Sequence, residues 1–207
     1  MITEKGLKIT EEFFASEQFM ELYGVFLYYT DIHTKWEYFV DNSYNDYCDI
    51  YKPGLSDENI NALLKTCDDQ FGCRPPQGYI VFAKKMKDFE HNKQYIYGFA
   101  PDDPSYPAIE LDLIENNIGN MTVGEDGRQN FFIVGWEDAG DVDWYYCYDL
   151  RTGEYVSYNH TFEIKRETFD SFADMFIKIW LKAFCSNGEL VNLIIKLFPE
   201  YAGYGDD

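Results

Sequence analysis

The sequence predicts an α+β fold in which helices pack on an antiparallel sheet. Apolar residues recur with a period of 3.6 both early and late in the chain, which is typical of amphipathic helices. Between those segments lie three aromatic and β-branched runs joined by short turns that contain glycine, and such runs in series predict an antiparallel meander. With 207 residues, the chain has the length of one large domain or two small ones.

The N-terminal part predicts a helix followed by a hairpin. Thr10 precedes two acids, a pattern typical of a helix N-terminus, so a short helix is expected through about Tyr23. The aromatic and β-branched runs at 25–30 and 35–40 flank a polar link and predict two paired strands.

A boundary is predicted at Pro53-Gly54. It divides the chain into an N-terminal extension, residues 1–55, and a main domain, residues 56–207. The predicted hairpin of the extension is too apolar to be stable alone in water. We therefore expect the extension to dock on the main domain.

The main domain opens with the clearest helix in the sequence. Ser56 is a good N-cap, two acids follow it, and Gly72 supplies an end. The apolar residues between them form one stripe: Ile60, Leu63, Leu64, Cys67 and Phe71. The segment 79–86 also has helical spacing, but its first four residues are equally compatible with a strand.

The pattern then changes to strands and returns to helices. Strands are predicted at 95–99, 131–136, 144–149 and 154–158, whereas 108–114 is ambiguous between helix and strand. A helix is predicted from Thr168 onward, with capping residues Ser171 and Asp174, and a last helix over 189–198.

The composition excludes several classes of function. Seventeen basic residues face 37 acidic ones, giving a net charge of -20. Nucleic acids and anionic membranes attract clustered positive charge, so we expect neither as a partner. No signal-peptide pattern or membrane span is evident, and five cysteines in a chain of this length favour reduced thiols. We expect a cytoplasmic protein.

Motifs typical of catalysis or cofactor binding are missing from the sequence. It has no zinc-binding spacing, nucleophile elbow, phosphate loop or dinucleotide fingerprint. Cys147 and His160 are the one pair that could form a thiol nucleophile, although a buried structural cysteine is the commoner case. The acids of 138–143 lack the spacing of an EF-hand. We predict no enzyme activity, metal or cofactor.

The acidic side chains are concentrated between Lys93 and Arg151. Twelve acids face one base there, Arg128, which gives a local charge of -11. Such a cluster can steer a basic partner, and interspersed Trp and Tyr residues are typical interface anchors. The candidate partner-binding residues are Asp102, Asp103, Trp136, Glu137, Asp138, Asp141, Asp143 and Trp144.

The order of elements resembles the SUKH superfamily, which includes fungal cell-wall-synthesis regulators and bacterial immunity proteins. The resemblance covers about 56–184 and rests on three ordered stretches. They are FGCRPPQGY, FFIVGWEDAGDVDWYYCYDLRTGEYVSY and ETFDSFADMF. The family's common Asn-Gly-Gly is replaced here by Asp88-Phe-Glu-His-Asn-Lys, and the N-terminal extension lies outside the resemblance.

The resemblance implies a curved, mostly antiparallel sheet packed by helices, and a function in binding another protein. Family members in bacteria commonly neutralise a toxin, often a nuclease or nucleic-acid deaminase. We therefore expect an immunity protein whose acidic face occludes a basic cognate toxin. Two alternatives stay open: a regulatory or scaffold protein with a cellular partner, and a hydrolase that uses paired carboxylates.

Overall fold

The computed structural model describes residues 4–25, 54–99, 112–119 and 129–204. The helices are α1 (Leu7–Ala15), α2 (17–25), α3 (Asp57–Phe71), α4 (Gln77–Ala83), α5 (Leu113–Gly119), α6 (Phe172–Ala183) and α7 (Gly188–Leu197), followed by a 3-10 turn (Pro199–Tyr201). The strands are β1 (Phe89–His91), β2 (Gln94–Ile96), β3 (Phe131–Asp138), β4 (Asp143–Asp149), β5 (Glu154–Asn159) and β6 (Lys165–Phe169).

The six strands form one open sheet in the order β1-β2-β3-β4-β5-β6, and each neighbouring pair is antiparallel. The predicted α+β fold and its meander are thus confirmed. The register between β3 and β4 shifts between Ile133 and Gly135, so Val134 forms a bulge. Since side chains alternate between faces along a strand, each cross-strand row belongs to one face.

Local signals set the ends of α3 as predicted. The Ser56 hydroxyl accepts a hydrogen bond from the Asn59 N–H, and Gly72 ends the helix with φ 66°, a left-handed value that favours glycine. Ile60, Leu63 and Cys67 face the core. The ambiguous segment after Pro76 is a helix, α4.

Helix α6 lies at the centre of the core and is apolar on most of its surface. Phe176 contacts rings from α1, α4 and β1: Phe13, Phe14, Phe82 and Phe89. Trp180 is fully buried beside Phe89 at 5.9 Å between centroids. The sheet face toward α6 is called the inner face below, and the opposite face the outer face.

The described start of the extension packs into this core. The Glu4 carboxylate accepts hydrogen bonds from the Gln77 and Gly78 N–H groups at 2.6 and 2.7 Å and from the Tyr155 hydroxyl at 2.6 Å. Gly6 has φ 74°, and a Cβ there would lie 2.3 Å from the Asp170 carbonyl oxygen, so the close approach requires glycine.

Three expectations from the sequence need revision. The predicted helix 10–23 is two helices, because the Ser16 hydroxyl accepts from the Phe19 N–H and restarts the chain as α2. Val25 lies in α2 rather than at the start of a strand. The rest of the predicted hairpin lies outside the described residues. At the other end, α6 begins at Phe172 rather than near Thr168, because β6 continues to Phe169.

Helix α5 lies beside β3 at the point where β2 ends. The Asn117 amide donates to the Ile133 carbonyl at 2.8 Å and accepts from the Ile133 N–H at 2.9 Å. The Asn117 side chain thereby forms the hydrogen bonds to β3 that a longer β2 would form. Of the ambiguous segment 108–114, the structure describes 112–114, and Leu113 is the first residue of this helix.

Candidate protein-binding site

Three turns of the meander meet at one end of the sheet, called the tip end below. They join β1 to β2, β3 to β4 and β5 to β6, at 92–93, 139–142 and 160–164. The Asp138 N–H donates to the Lys93 carbonyl at 3.0 Å, and the His160 N–H donates to the Asp143 carbonyl at 3.0 Å. These bonds hold the three turns in a line.

Acidic side chains lie at these turns. Asp138 and Asp143 lie directly opposite each other on β3 and β4, and Asp141 is exposed in the turn between them. Asp138 forms an ion pair with Lys93 at 3.0 Å and accepts from the Gly140 N–H, and these contacts lower its pKa. Within the described chain, neither Asp141 nor Asp143 forms an ion pair. These three residues are called the tip acids.

The next row of the outer face consists of aromatic rings. Tyr95, Trp136, Tyr145 and Tyr158 are consecutive cross-strand partners on β2, β3, β4 and β5, and all four are partly exposed. Tyr95 stacks on Trp136 with 4.8 Å between centroids. We call this set the aromatic row. It lies between the tip acids and a fully buried row of Ile133, Cys147 and Val156.

The turn between β5 and β6 supports the aromatic row. Phe162 has φ 58°, which is strained for a bulky side chain. Its ring stacks on Tyr145 at 5.5 Å, and the Asn159 amide oxygen accepts from the N–H groups of Glu163 and Ile164. The aromatic contact and the Asn159 bonds hold this turn in one conformation.

Glu137, although predicted to contact a partner, faces the other way. The residue is 8% exposed, and its carboxylate lies on the inner face, 3.0 Å from Lys182 Nζ and 2.9 Å from Arg166 Nη1. The Tyr146 hydroxyl is within hydrogen-bond distance of Glu137 Oε2 and of Gln94 Oε1. Glu137 is therefore a structural ion-pair residue, and we remove it from the partner-binding set.

Burial and charge act in opposite directions in this buried cluster. Burial alone would raise the pKa of Glu137, but two cations and the Tyr146 hydroxyl lower it. The pKa of Lys182 is also lowered, because burial and the Arg166 charge outweigh the attraction of Glu137. Both directions fit a triad of two cations and one anion, in which the carboxylate is the stabilised charge.

Trp144 also lies on the inner face, directly opposite Glu137. The Arg166 guanidinium carbon sits 5.0 Å from the centre of its ring. The structure therefore separates the two predicted tryptophan anchors, with Trp136 on the outer face and Trp144 on the inner one.

Two further acids of the acidic stretch serve the fold. Asp149 is buried and paired with Arg151, and Asp112 accepts the Ile114 and Glu115 N–H groups at the start of α5. Asp102 and Asp103 lie outside the described residues. The acidic stretch is thus partly structural and partly presented at the tip end.

The structure separates the two residues of the candidate thiol nucleophile. Cys147 is fully buried and pairs with Val156, whereas His160 is exposed beyond the end of β5, about four residues or roughly 13 Å further along the sheet. Burial raises the pKa of the Cys147 thiol well above its usual value. The described stretches contain no cluster of three metal-ligating side chains.

The pKa shifts of the described carboxyl groups concern the paired-carboxylate alternative. Each described carboxyl with a shifted pKa is shifted downward: Asp57, Asp68, Glu137, Asp138 and Asp149. Hydrolysis by paired carboxylates needs one group with a raised pKa to act as the acid.

Among the described helices, none has the length and apolar composition needed to cross a bilayer.

Sequence reasoning missed several residues of both faces. Tyr95 and Tyr158 belong to the aromatic row because of how β2 pairs with β3 and β4 with β5. The residue pattern of one strand does not reveal that pairing. Lys182 left a signal, because it follows Lys178 by one helical turn in a helix whose other residues after Asp174 are apolar. A cation placed that way predicts a buried anion partner.

No family model matches this chain, and no curated protein or solved structure matches it significantly. The likeness to the SUKH superfamily stays a prediction from the order of residues.

Proposed function

We propose that this chain is a SUKH-like protein-binding domain, an immunity protein that neutralises a toxin with a basic surface. The observation that carries the proposal is the tip end, where the tip acids stand beside the partly exposed aromatic row. Acids and large rings together are the composition of an electrostatically steered interface with anchor residues.

Apolar side chains at the same end support an interface. Val142 is 37% exposed and Ile164 is 59% exposed, in two neighbouring turns. Glu163 adds another exposed carboxylate beside Ile164. An apolar pair surrounded by acids suits a partner that carries both basic and apolar residues.

The net charge gives the expected mechanism. A chain of charge -20 attracts a cationic protein over about a Debye length, which speeds encounter at low salt. A toxin that acts on nucleic acid needs a basic surface for its substrate, and fixed carboxylates can occupy that surface. Inhibition then follows from occlusion, without chemistry on either protein.

Binding to the protein encoded by the neighbouring gene tests the proposal. The association rate is measured for wild type, for a tip variant D141N/D143N/E163Q and for a matched control E11Q/E17Q/E21Q on α1 and α2. We expect binding that weakens with salt, and about tenfold slower association for the tip variant alone. Absence of binding, or equal loss in both variants, contradicts the proposal; a cellular protein as the sole captured partner favours the regulatory alternative over immunity.

A further inference from the structure

The chain binds its own arginines in a recurring way. Glu137 and Trp144 are directly opposite each other on β3 and β4. Arg166 donates to Glu137 Oε2 at 2.9 Å while its guanidinium lies 5.0 Å from the Trp144 ring centre. One arginine thus contacts a ring and a carboxylate that are paired across two strands.

The same arrangement occurs at the opposite end of the same two strands. Phe131 and Asp149 are directly opposite each other. Arg151 Nε and Nη2 donate to the Asp149 carboxylate at 3.1 and 2.8 Å, and its guanidinium carbon lies 5.0 Å from the Phe131 ring centre. A planar guanidinium suits this geometry, because it can pair edge-on with a carboxylate and stack on a ring.

A third combination of an aromatic ring and carboxylates lies at the tip end of the outer face. Trp136 is partly exposed, and Tyr95 stacks on it. Asp138 is two residues along the same strand, and Asp143 is the diagonal neighbour on β4, within reach of a long side chain. Lys93 pairs with Asp138, but no cation of the described chain pairs with Asp143.

We infer that Trp136 and Asp143 bind an arginine side chain of the partner protein. This inference rests on the proposed function and names the chemistry that the partner contributes. The guanidinium lies on the Trp136 ring and pairs with the Asp143 carboxylate. These two side chains are diagonal neighbours, whereas Trp144 and Glu137, which hold Arg166, are directly opposite each other, so the guanidinium here spans a longer distance. Asp141, exposed in the adjacent turn, adds a second carboxylate at the mouth of the site.

The local electrostatics favour a cation at this position. Asp138 and Asp143 are directly opposite, and like charges in that position repel. Lys93 offsets the charge of Asp138, and an arginine at Asp143 would offset the other. Lysines of this chain also lie over rings, as Lys182 does at 5.6 Å from the Tyr146 ring centre. An arginine is favoured here because its planar guanidinium can lie flat on a ring and pair with a carboxylate at its edge, whereas the ammonium group is compact and strongly hydrated.

Two peptides of equal length and charge test the inference. One carries arginines spaced by glycine and the other carries lysines at the same positions. Affinity is measured by calorimetry, and the indole N–H signal of Trp136 is followed by NMR after assignment with W136F. We expect about tenfold tighter binding of the arginine peptide, with a shift of the Trp136 signal larger than that of Trp144.

Variants localise the site. D143N is expected to weaken the arginine peptide about tenfold, and E11Q, which removes one exposed charge on α1, is expected to leave its affinity unchanged. Equal affinity for both peptides, an unmoved Trp136 signal, or a Trp136 signal that responds to a neutral oligosaccharide and not to arginine overturns the inference.

The test separates this inference from the proposed function. If the neighbouring toxin binds with wild-type affinity to W136A and D143N, the inference fails and the function stands. If the arginine preference and the Trp136 response are observed but the toxin does not bind, the function fails and the site stands.

Discussion

Glu137 and Asp138 are neighbours in the chain and are both ionised, yet they lie in opposite environments. Glu137 points to the inner face, where Lys182 and Arg166 surround its carboxylate. Asp138 points to the outer face at the tip end, opposite the like charge of Asp143 and beside the partly exposed Trp136. The inner cluster is closed and internally matched, whereas the outer one carries a carboxylate at Asp143 that the described chain leaves unmatched.

The difference shows that the density of acids along a sequence does not measure the charge that a fold presents. Because strand side chains alternate, half of an acidic strand can be used inside the protein. The inner cluster joins β3, β6 and α6, so its charges act on stability. Among the described residues, the tip acids join no helix to the sheet, so we expect their charges to act on binding.

Removing the charge of Lys182 from the inner cluster should lower the free energy of unfolding more than any other change proposed here. In K182M, Glu137 keeps only Arg166 as a cationic partner while it stays buried. Breaking a buried pair from one side usually costs about 3 kcal/mol, so we expect that loss in the free energy of unfolding measured by urea titration. Binding of the partner should be unchanged in the folded fraction.

The double variant E137Q/K182M is the control for this prediction. Removing both charges takes away the buried carboxylate that K182M leaves with one cation, and Arg166, whose side chain is 37% exposed, can be solvated, so the double variant should regain most of the loss. Strictly additive effects of the two single changes would show that the ion pair contributes nothing to stability.

Glu4 is a second carboxylate used by the fold, and its loss should have the next largest effect. In E4A, two N–H groups at the start of α4 and the buried Tyr155 hydroxyl lose their acceptor. Hydrogen bonds to a charged group contribute about 2 kcal/mol, which we expect as the loss in the free energy of unfolding. E11A, an exposed acid on α1, should change it by less than about 0.5 kcal/mol.

Much of the fold could be predicted because its signals are local. The cap at Ser56, the stripe through Leu63 and the stop at Gly72 all lie within one helix and agree with one another. The strands that sequence reasoning missed, β1 and β6, are the two edges of the sheet. Edge strands are short or charged, as in Lys165-Arg-Glu-Thr-Phe, and therefore lack the apolar alternation that identifies central strands.

The candidate site was only partly predictable because it depends on register. The sequence shows that Trp136 and Asp143 are close in the chain, but a shift of one residue would send each to the other face. Pairing of β3 with β4 decides that Trp136 faces outward and Glu137 inward. The partners of Glu137 come from residues 29 and 45 positions later, and no local pattern links them.

Acid should weaken the inner cluster specifically. The pKa of Glu137 is lowered from its ordinary 4.5 in the folded protein, so its stabilising contribution is present above about pH 4.5 and is lost as the pH falls through the lowered value. Protonated Glu137 then resembles glutamine. The difference in unfolding free energy between wild type and E137Q should therefore shrink below pH 4.5, and urea titrations over a pH series would measure it. A constant difference at every pH would mean that the charge of Glu137 is not what E137Q removes.

The smallest expected effect has the opposite sign and concerns the tip acids. D143N removes the like charge opposite Asp138, so we expect it to raise the free energy of unfolding by about 0.5 kcal/mol while weakening partner binding. D141N, which changes an exposed acid in the turn and not on the strand, should leave stability unchanged. The gain should disappear in high salt, which screens exposed charges. If D143N instead lowers stability at every salt concentration, Asp143 serves the fold as Glu137 does, and the contrast between the two faces is lost.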